Sequence, residues 1–249
     1  MTSVVAPLPD VLTHISLEEL NAHAELLTRT DRKYIVSNEL LAQLIESNRA
    51  SLATLDIDGR REFLYESVYF DTDDLRLYRD AATSRRFRFK VRTRAYRDTD
   101  VAVLEVKLKD GRGQTVKSRL DYSNDDRHHL TDAARAFVDE LAGRPGVAAT
   151  LQPVLTTAYR RATLVDVAPG ARYTIDRGLS CTEPCGNAIG LDEVIIETKS
   201  DGSASMLDRW LWQRGVRPVR ISKYCTALAA MHPELPANKW HRTLARHFH

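Results

Sequence analysis

Hydrophobic and polar residues alternate along much of this chain, and this pattern is typical of β-strands, whose successive side chains point to opposite faces of a sheet. The alternation predicts strands over residues 31–36, 66–71, 84–95, 101–109, 114–122, 153–164, 171–176, 193–200 and 217–222. Residues 110–113, Asp-Gly-Arg-Gly, have the composition of a hairpin connection.

Apolar residues at helical spacing occupy shorter segments between and after these strands. They predict a leading helix ending near Leu27, a helix capped by Ser37, a helix from Thr131 or Asp132 to Gly143, and helices at 203–214 and 223–231. Strands therefore outnumber helices, and we expect an α+β fold.

The strand over residues 84–96 has a cationic face. Its alternation places Arg86, Arg88, Lys90, Arg92 and Arg94 on one side and Phe87, Phe89, Val91, Thr93 and Ala95 on the other. Such a row could simply face water. Five like charges nevertheless repel each other unless carboxylates or a bound anion lie opposite them.

The neighbouring strands repeat this arrangement, with charged residues on one face and aliphatic residues on the other. The charged positions are Asp31, Lys33, Glu105, Lys107, Lys109, Lys117, Arg119, Arg161, Arg172, Asp176, Glu197 and Lys199. We therefore expect a closed antiparallel β-barrel of about eight strands, with the charged faces inside and the helices packed outside. A basic tunnel of this kind requires a polyanionic ligand, and phosphate chains suit arginine forks and lysine ammonium groups best.

Composition narrows the class of protein further. The 249 residues include 36 Lys and Arg against 34 Asp and Glu, a formal net charge of +2, which argues against a polybasic nucleic-acid arm. No apolar run is long enough for a membrane span, the first residues lack the basic region of a signal peptide, and three cysteines suit a reducing compartment. These features predict a cytoplasmic protein. Near-neutrality is compatible with a basic tunnel because many carboxylates fall in predicted loops and helices.

Nine short motifs occur in an order that resembles a known family. They are Asp31-Arg32-Lys33-Tyr34, Tyr69-Phe70-Asp71-Thr72, Lys90-Val91-Arg92-Thr93-Arg94, Leu104-Glu105-Val106-Lys107, Lys117-Ser118-Arg119, Tyr159-Arg160-Arg161, Arg172-Tyr173-Thr174-Ile175-Asp176, Ile196-Glu197-Thr198-Lys199 and Ser222-Lys223-Tyr224. Together they resemble the VTC-type polyphosphate polymerase domain of the triphosphate tunnel metalloenzymes. The resemblance predicts a helical extension over residues 1–28, the tunnel domain over 29–232 and a tail over 233–249.

The resemblance also implies roles for individual residues. The residues that it assigns to phosphoryl transfer and phosphate binding are Lys33, Arg92, Arg94, Lys107, Lys117, Arg161, Arg172, Ser222 and Lys223. Alternation alone adds Lys90 and Lys199 to the phosphate-binding residues. Glu197 would hold Mn²⁺ or Mg²⁺. Glu105 is either a second metal ligand or an ion-pair partner that separates the cations. Alternation also adds Arg86, Arg88, Lys109 and Arg119, which we expect, with Lys90 and Lys199, at tunnel mouths or outer strand ends.

The implied activity is transfer of the γ-phosphoryl group of ATP to a growing polyphosphate chain. The implied ligands are ATP and polyphosphate, without direct membrane insertion, and any coupling to transport would need a separate membrane partner. A tunnel triphosphatase is the main alternative, although such relatives begin with Glu-x-Glu-x-Lys where this chain has Arg29, Asp31 and Lys33. A non-catalytic polyphosphate-binding module is another. Nucleic-acid binding is disfavoured because Phe87 and Phe89 lie opposite the cationic row.

Overall fold

The fold is described by a computed structural model over residues 12–23, 30–109, 114–168 and 170–248. The strands are β1 Thr13–Ile15, β2 Thr30–Val36, β3 Leu52–Leu55, β4 Phe63–Asp71, β5 Arg88–Tyr96, β6 Val101–Lys109, β7 Thr115–Tyr122, β8 Gln152–Asp166, β9 Arg172–Thr182, β10 Ala188–Leu191 and β11 Val194–Ser200. The α-helices are α1 Leu17–His23, α2 Asn38–Asn48, α3 Arg76–Ala82, α4 Asp132–Ala142, α5 Met206–Gln213, α6 Lys223–Met231 and α7 His241–His247. Within these residues, no helix is long and apolar enough to cross a bilayer.

The chain divides into two compact units. The first unit comprises Met1–Phe63, Tyr159–Leu179 and Leu191–Arg220, and the second comprises Leu64–Ala158, Ser180–Gly190 and Ile221–His249. The long strands β8 and β9 contribute residues to both.

The core of the first unit lies between its helices and the apolar face of its strands. Ser37 caps α2 by accepting a hydrogen bond from the Leu40 amide at 3.2 Å. Leu44 on α2 and Leu211 on α5 then pack with Tyr34 and Ile196 from β2 and β11. The apolar rows of these strands are therefore covered by helices, which leaves their charged rows on the other face.

The second unit repeats this layering. Thr131 caps α4 by accepting from the Ala134 amide at 3.3 Å, and the helix ends at Gly143, whose φ of 61° suits glycine. Val138 of α4 packs with Val91 of β5 and with Val106 of β6. The apolar side of β5 and β6 is thus buried.

The sheet is large and almost entirely antiparallel, but it is not the closed barrel that the alternation predicts. Its hydrogen-bonded order is β2-β11-β9-β8-β4-β5-β6-β7, with β10 on β9, β3 on β8, and β1 parallel to β3. The order ends at β2 and at β7, and within the described residues no pairing joins these two strands. Closure requires a matching tilt and stagger of all strands, which side-chain alternation does not encode. The prediction of a closed eight-stranded barrel is therefore wrong.

Several predicted elements differ from the observed ones. Residues 217–222 form no strand, because Pro218 has no amide hydrogen for a ladder. The next residue, Val219, donates its amide to the Lys33 carbonyl at 2.7 Å. The strand β5 begins at Arg88, and Ser84 upstream has a left-handed φ of 56°. The helix α5 begins at Met206, where Ser205 supplies a capping box.

The sequence patterns did not predict β1, β3, α3, β10 and α7, and the reason is identifiable for two of them. The strand β3 is buried at all four positions, so its sequence shows no alternation. The helix α3 has no capping side chain at its N-terminal flank, Leu75. The predicted hairpin turn at 110–113, the second half of the leading helix and Arg29 lie outside the described residues.

Candidate functional site

The strands β5, β6 and β7 align their charged residues in register. Arg92 of β5 lies opposite Glu105 of β6, which lies opposite Arg119 of β7. Two residues away along each strand, Lys90, Lys107 and Lys117 form a second row in the same order. We define the β5–β7 charged face as Lys90, Arg92, Arg94, Glu105, Lys107, Lys117 and Arg119. Since the other side of β5 and β6 packs on α4, these side chains share the side that faces away from that core.

Glu105 lies at the centre of the β5–β7 charged face, and its side chain is only 2% exposed. Its Oε2 accepts from Nε and Nη2 of Arg92 at 2.8 and 2.5 Å. Its Oε1 accepts from Nζ of Lys117 at 3.0 Å and from Nε of Arg119 at 2.9 Å. Nη1 of Arg94 lies 3.9 Å from Oε2. Both carboxylate oxygens are thus engaged by cations from two neighbouring strands.

The electrostatics of Glu105 follow from this crowding. Burial by itself raises the pKa of Glu105, but the charges of Arg92, Arg94 and Lys117 outweigh it and hold that pKa well below its usual range. Burial lowers the pKa of Lys117, and the Glu105 charge opposes that shift. One carboxylate faces four cations, so the cluster has an excess of positive charge that suits an anionic ligand.

The cations around Glu105 differ in their access to solvent. The side chain of Arg94 is 8% exposed, whereas those of Lys117 and Arg119 are 38% and 50% exposed. Lys117 and Arg119 therefore combine an inner contact to Glu105 with a solvent-facing outer side.

The start of α6 adds a hydroxyl and an amine to the second unit. Ser222 caps the helix, and its Oγ accepts from the Cys225 amide at 3.3 Å and from Nζ of Lys90 at 2.9 Å. Nζ of Lys90 also donates to Sγ of Cys225 at 3.1 Å. Lys223 is the first residue of the helix. The structure thus places Lys90 beside the Ser-Lys-Tyr motif.

The Tyr-Phe-Asp-Thr motif supports this helix start, a role that the sequence analysis missed. The buried Asp71 carboxylate accepts from the backbone amides of Thr72, Leu77 and Tyr78, each at 2.8 Å, and from the hydroxyl of Tyr224. Burial raises the pKa of Asp71, and these hydrogen bonds oppose the shift. Asp71 therefore caps α3 and, through the Tyr224 hydroxyl, also holds the start of α6.

The first unit has its own charged face, on β2, β11 and β9. Lys33 lies opposite Glu197, which lies opposite Thr174, and two residues along, Asp31, Lys199 and Arg172 are opposite one another. We define the β2–β11–β9 charged face as Asp31, Lys33, Glu197, Lys199, Thr174, Arg172 and Asp176. The alternate residues of these strands form the apolar core under α2 and α5.

Glu197 is the carboxylate of this face for which the sequence predicts a metal role. Its side chain is 17% exposed, and its Oε1 lies 3.5 Å from Nζ of Lys199. Burial lowers the pKa of Lys199, with Glu197 opposing the shift and Arg161 and Arg172 reinforcing it.

The donors near Glu197 fit a hard divalent cation, although no group of three or more His, Cys, Asp or Glu side chains in the described residues is arranged to hold a metal. Across the ladder from Glu197, the buried Oγ1 of Thr174 has no hydrogen-bond partner in the described part of the chain. Mg²⁺ and Mn²⁺ accept hard oxygen ligands, and Mg²⁺ is commonly held by one or two carboxylates together with substrate phosphates and water. The carboxylate of Glu197 with the hydroxyl of Thr174 is compatible with that mode.

Arg161 makes a bidentate ion pair on the first unit. Its Nε and Nη2 donate to the two oxygens of Asp176 at 2.6 and 2.8 Å, and the Asp176 side chain is 1% exposed. Its guanidinium also lies over the ring of Tyr159, 5.2 Å from the centroid. Asp176 therefore sets the orientation of Arg161.

The predicted site residues thus fall into two groups. The second unit contains Lys90, Arg92, Arg94, Glu105, Lys107, Lys117, Ser222 and Lys223, and the first contains Lys33, Arg161, Arg172, Glu197 and Lys199. Arg88 and Lys109 lie at strand ends as expected, and Arg86 precedes β5. Arg119 instead lies within β7, against Glu105, and Lys90 lies within β5, against Ser222.

Three comparisons relate this chain to known proteins. The structure is similar to that of a "putative adenylate cyclase" from Bacillus halodurans, with a TM-score of 0.50 and 16% identity, over 78% of this chain and 94% of that one. The PH1819 protein of Pyrococcus horikoshii OT3 gives a TM-score of 0.43 and 14% identity, over 86% of this chain and 99% of that one. No curated protein matches the sequence. The family model for the VTC domain matches residues 28–232, which is most of the chain. This protein therefore belongs to the VTC domain family.

Proposed function

We propose that this protein is a divalent-metal-dependent polyphosphate polymerase that transfers the γ-phosphoryl group of ATP to the end of a polyphosphate chain. The observation that carries the proposal is the β5–β7 charged face, where four cations surround the single buried carboxylate of Glu105. Membership of the VTC domain family supports the same substrate class.

The reaction suits a protein that supplies charge and position. The bond between the γ-phosphorus and its bridging oxygen breaks, a bond forms between that phosphorus and a terminal oxygen of the chain, and ADP leaves. The acceptor oxygen is already anionic, so no side chain has to remove a proton from it. Arginine and lysine side chains that neutralise the phosphoryl oxygens and hold donor and acceptor in line are therefore the main requirement.

The proposed roles follow the placement of the side chains. In the second unit, Arg92, Arg94, Lys107 and Lys117 bind phosphate oxygens, and Lys90 with Ser222 and Lys223 extends that set. In the first unit, Lys33, Arg172 and Lys199 bind phosphate, and Asp176 orients Arg161 to do so. A divalent cation, held by Glu197 with the Thr174 hydroxyl, would supply further charge neutralisation on the phosphates. Glu105 orients cations in this scheme.

The direct test is to incubate the purified protein with ATP and either Mn²⁺ or Mg²⁺ and to resolve the products on a gel. A ladder of polyphosphate with matching ADP release is expected. Lys107→Met should reduce the ladder by at least about tenfold, since a charged contact to phosphate contributes about 1.5–3 kcal/mol. Arg144→Met, in an exposed loop after α4, serves as the control and should leave synthesis unchanged.

Two outcomes would overturn the proposal. ADP and orthophosphate without a ladder would indicate the triphosphatase alternative. Tight polyphosphate binding without ADP release under either metal would indicate a binding module.

A further inference from the structure

We infer that Glu105 is a positioning residue that holds Lys117 and Arg119 in the orientation in which they bind phosphate together. This inference rests on the proposed function, because it assigns a role within the same phosphate-binding face. It gives Glu105 a different role from the metal ligation considered at the sequence level.

The contacts of Glu105 are arranged to hold cations from the inner side. Its Oε1 is shared by Nζ of Lys117 and Nε of Arg119, at 3.0 and 2.9 Å. In the described part of the chain, the two terminal nitrogens of Arg119 donate to no other group, and its side chain is half exposed. Lys117 retains two further ammonium protons beyond its bond to Glu105. Both cations therefore have outward donors while their inner donors are occupied.

The charge balance explains why a carboxylate is required at this position. Lys117 and Arg119 are adjacent on one face of a single strand, and Arg92 and Arg94 lie on the next strand but one. Like charges this close repel each other, and without an anion between them the side chains would turn away into solvent. The ionised Glu105 offsets part of that repulsion and leaves a net positive charge for the phosphate.

A metal ion has no open position on Glu105. Oε2 accepts two hydrogen bonds from Arg92, and Oε1 accepts two more from β7. A metal would have to displace these donors and would then lie among four positive charges. Ligation of a cation by Glu105 is therefore disfavoured.

The test is a double-mutant cycle on the binding of tripolyphosphate, measured by calorimetry in the presence of EDTA. In the wild-type background, Lys117→Met should weaken binding by about tenfold or more, since a charge-assisted contact contributes about 1.5–3 kcal/mol. In a Glu105→Gln background, the same Lys117→Met change should weaken binding by less than about threefold. An equal effect in both backgrounds would overturn the inference, because the two residues would then act independently.

The control and a second variant keep this result interpretable. Asp121→Asn makes the same chemical change at an exposed carboxylate two residues beyond Arg119, and the Lys117→Met effect should stay at about tenfold in that background. If Glu105→Gln fails to fold, Glu105→Asp keeps the charge but shortens the reach by one methylene. The Lys117→Met effect should again shrink there, and a full effect would contradict the inference.

The cycle is independent of turnover. Failure of the protein to make polyphosphate would overturn the proposed activity, but the double-mutant cycle on tripolyphosphate binding could still be measured and would still test the role of Glu105. A wild-type protein that does not bind tripolyphosphate would overturn both. A metal-activation midpoint raised by more than about tenfold in Glu105→Gln would indicate that Glu105 is a metal ligand and would overturn the positioning role.

Discussion

The ring of Tyr69 stacks on the ring of Tyr224, with centroids 4.8 Å apart and planes inclined by 15°. The Tyr69 hydroxyl also accepts from Nη1 of Arg92 at 2.9 Å, and the Tyr224 hydroxyl donates to Asp71. These contacts join two separate sequence motifs to a cation of the β5–β7 charged face. They explain why tyrosine and aspartate accompany the basic residues of this chain.

The first prediction concerns the Tyr224 hydroxyl. Tyr224→Phe keeps the stacked ring but removes one donor to the buried Asp71 carboxylate, which retains three backbone donors. The free energy of unfolding should fall by about 1.5–3 kcal/mol, as is usual for a hydrogen bond to a charged group. Urea denaturation measures it. Tyr96→Phe is the control, because within the described residues the Tyr96 hydroxyl has no hydrogen-bond partner and the ring packs edge-on against Tyr65. Equal losses in both variants would contradict the anchoring role.

The second prediction concerns the loss of folding stability at acidic pH. The folded-state pKa of Glu105 lies below its unfolded value, so its contribution to stability is present above the unfolded pKa, which is about 4.3, and is lost as the pH falls below it. Wild-type protein should therefore lose stability more steeply than Glu105→Gln between about pH 5 and pH 3, by up to about 1.4 kcal/mol per pH unit. Urea denaturation across this range tests the difference, and parallel curves would argue against a strongly paired Glu105.

The third prediction concerns Lys199 on the first unit. Burial lowers its folded-state pKa, so the folded protein binds this proton less readily than the unfolded chain does. Stability of the wild type should then rise with pH from that folded pKa up to the unfolded value of about 10.4. Lys199→Met lacks this rise, so the stability of wild type relative to Lys199→Met should increase between pH 7 and pH 10. Thermal unfolding at both pH values measures it.

A matched control for Lys199 is Arg160→Met, which removes an exposed cation from β8 in the same unit. The stability difference between this variant and wild type should be within about 0.5 kcal/mol at both pH values. A stability difference between Lys199→Met and wild type that stays constant from pH 7 to pH 10 would contradict the buried-lysine explanation.

The fourth prediction separates catalysis from binding at Glu197. Glu197→Ala should lower polyphosphate synthesis by about 100-fold, since it removes the proposed carboxylate ligand of the metal, while tripolyphosphate binding in EDTA changes by less than about threefold. Lys33→Ala should instead weaken that binding by about tenfold. A gel assay and calorimetry provide the two readouts. Asp192→Asn, an exposed carboxylate before β11, is the control, and unchanged synthesis in Glu197→Ala would remove the metal role.

Local sequence patterns predicted most of the elements of this fold. The caps at Ser37 and Thr131 and the terminating Gly143 are local signals, and the helices they delimit occur as expected. The strand β3 and the helix α3 were missed because burial on both faces hides alternation and because α3 is capped by Asp71, six residues before Leu77. A side chain that far from the helix start is not recognisable as a cap in sequence.

The candidate site was predictable as a set of residues but not as a set of contacts. Alternation placed Glu105 and Arg119 on the same side of their strands as Lys107 and Lys117, and the register confirms that these residues share one face. Alternation could not reveal that both oxygens of Glu105 are engaged by cations, nor that Lys90 reaches Ser222 across 132 positions of sequence. Such contacts depend on which strands and helices become neighbours.

The sequence by itself determined which residues share a face, because side chains alternate strictly along an extended backbone and the apolar row must be buried. It also determined the excess of Lys and Arg over carboxylates on the β5–β7 charged face. The tertiary structure alone decided that the sheet stays open and that the charged residues divide between two units. It also decided that Glu105 pairs with cations from both neighbouring strands. The physical reason is that closure, strand order and ion pairing depend on tilt, stagger and register among distant segments, and no local pattern of residues encodes them.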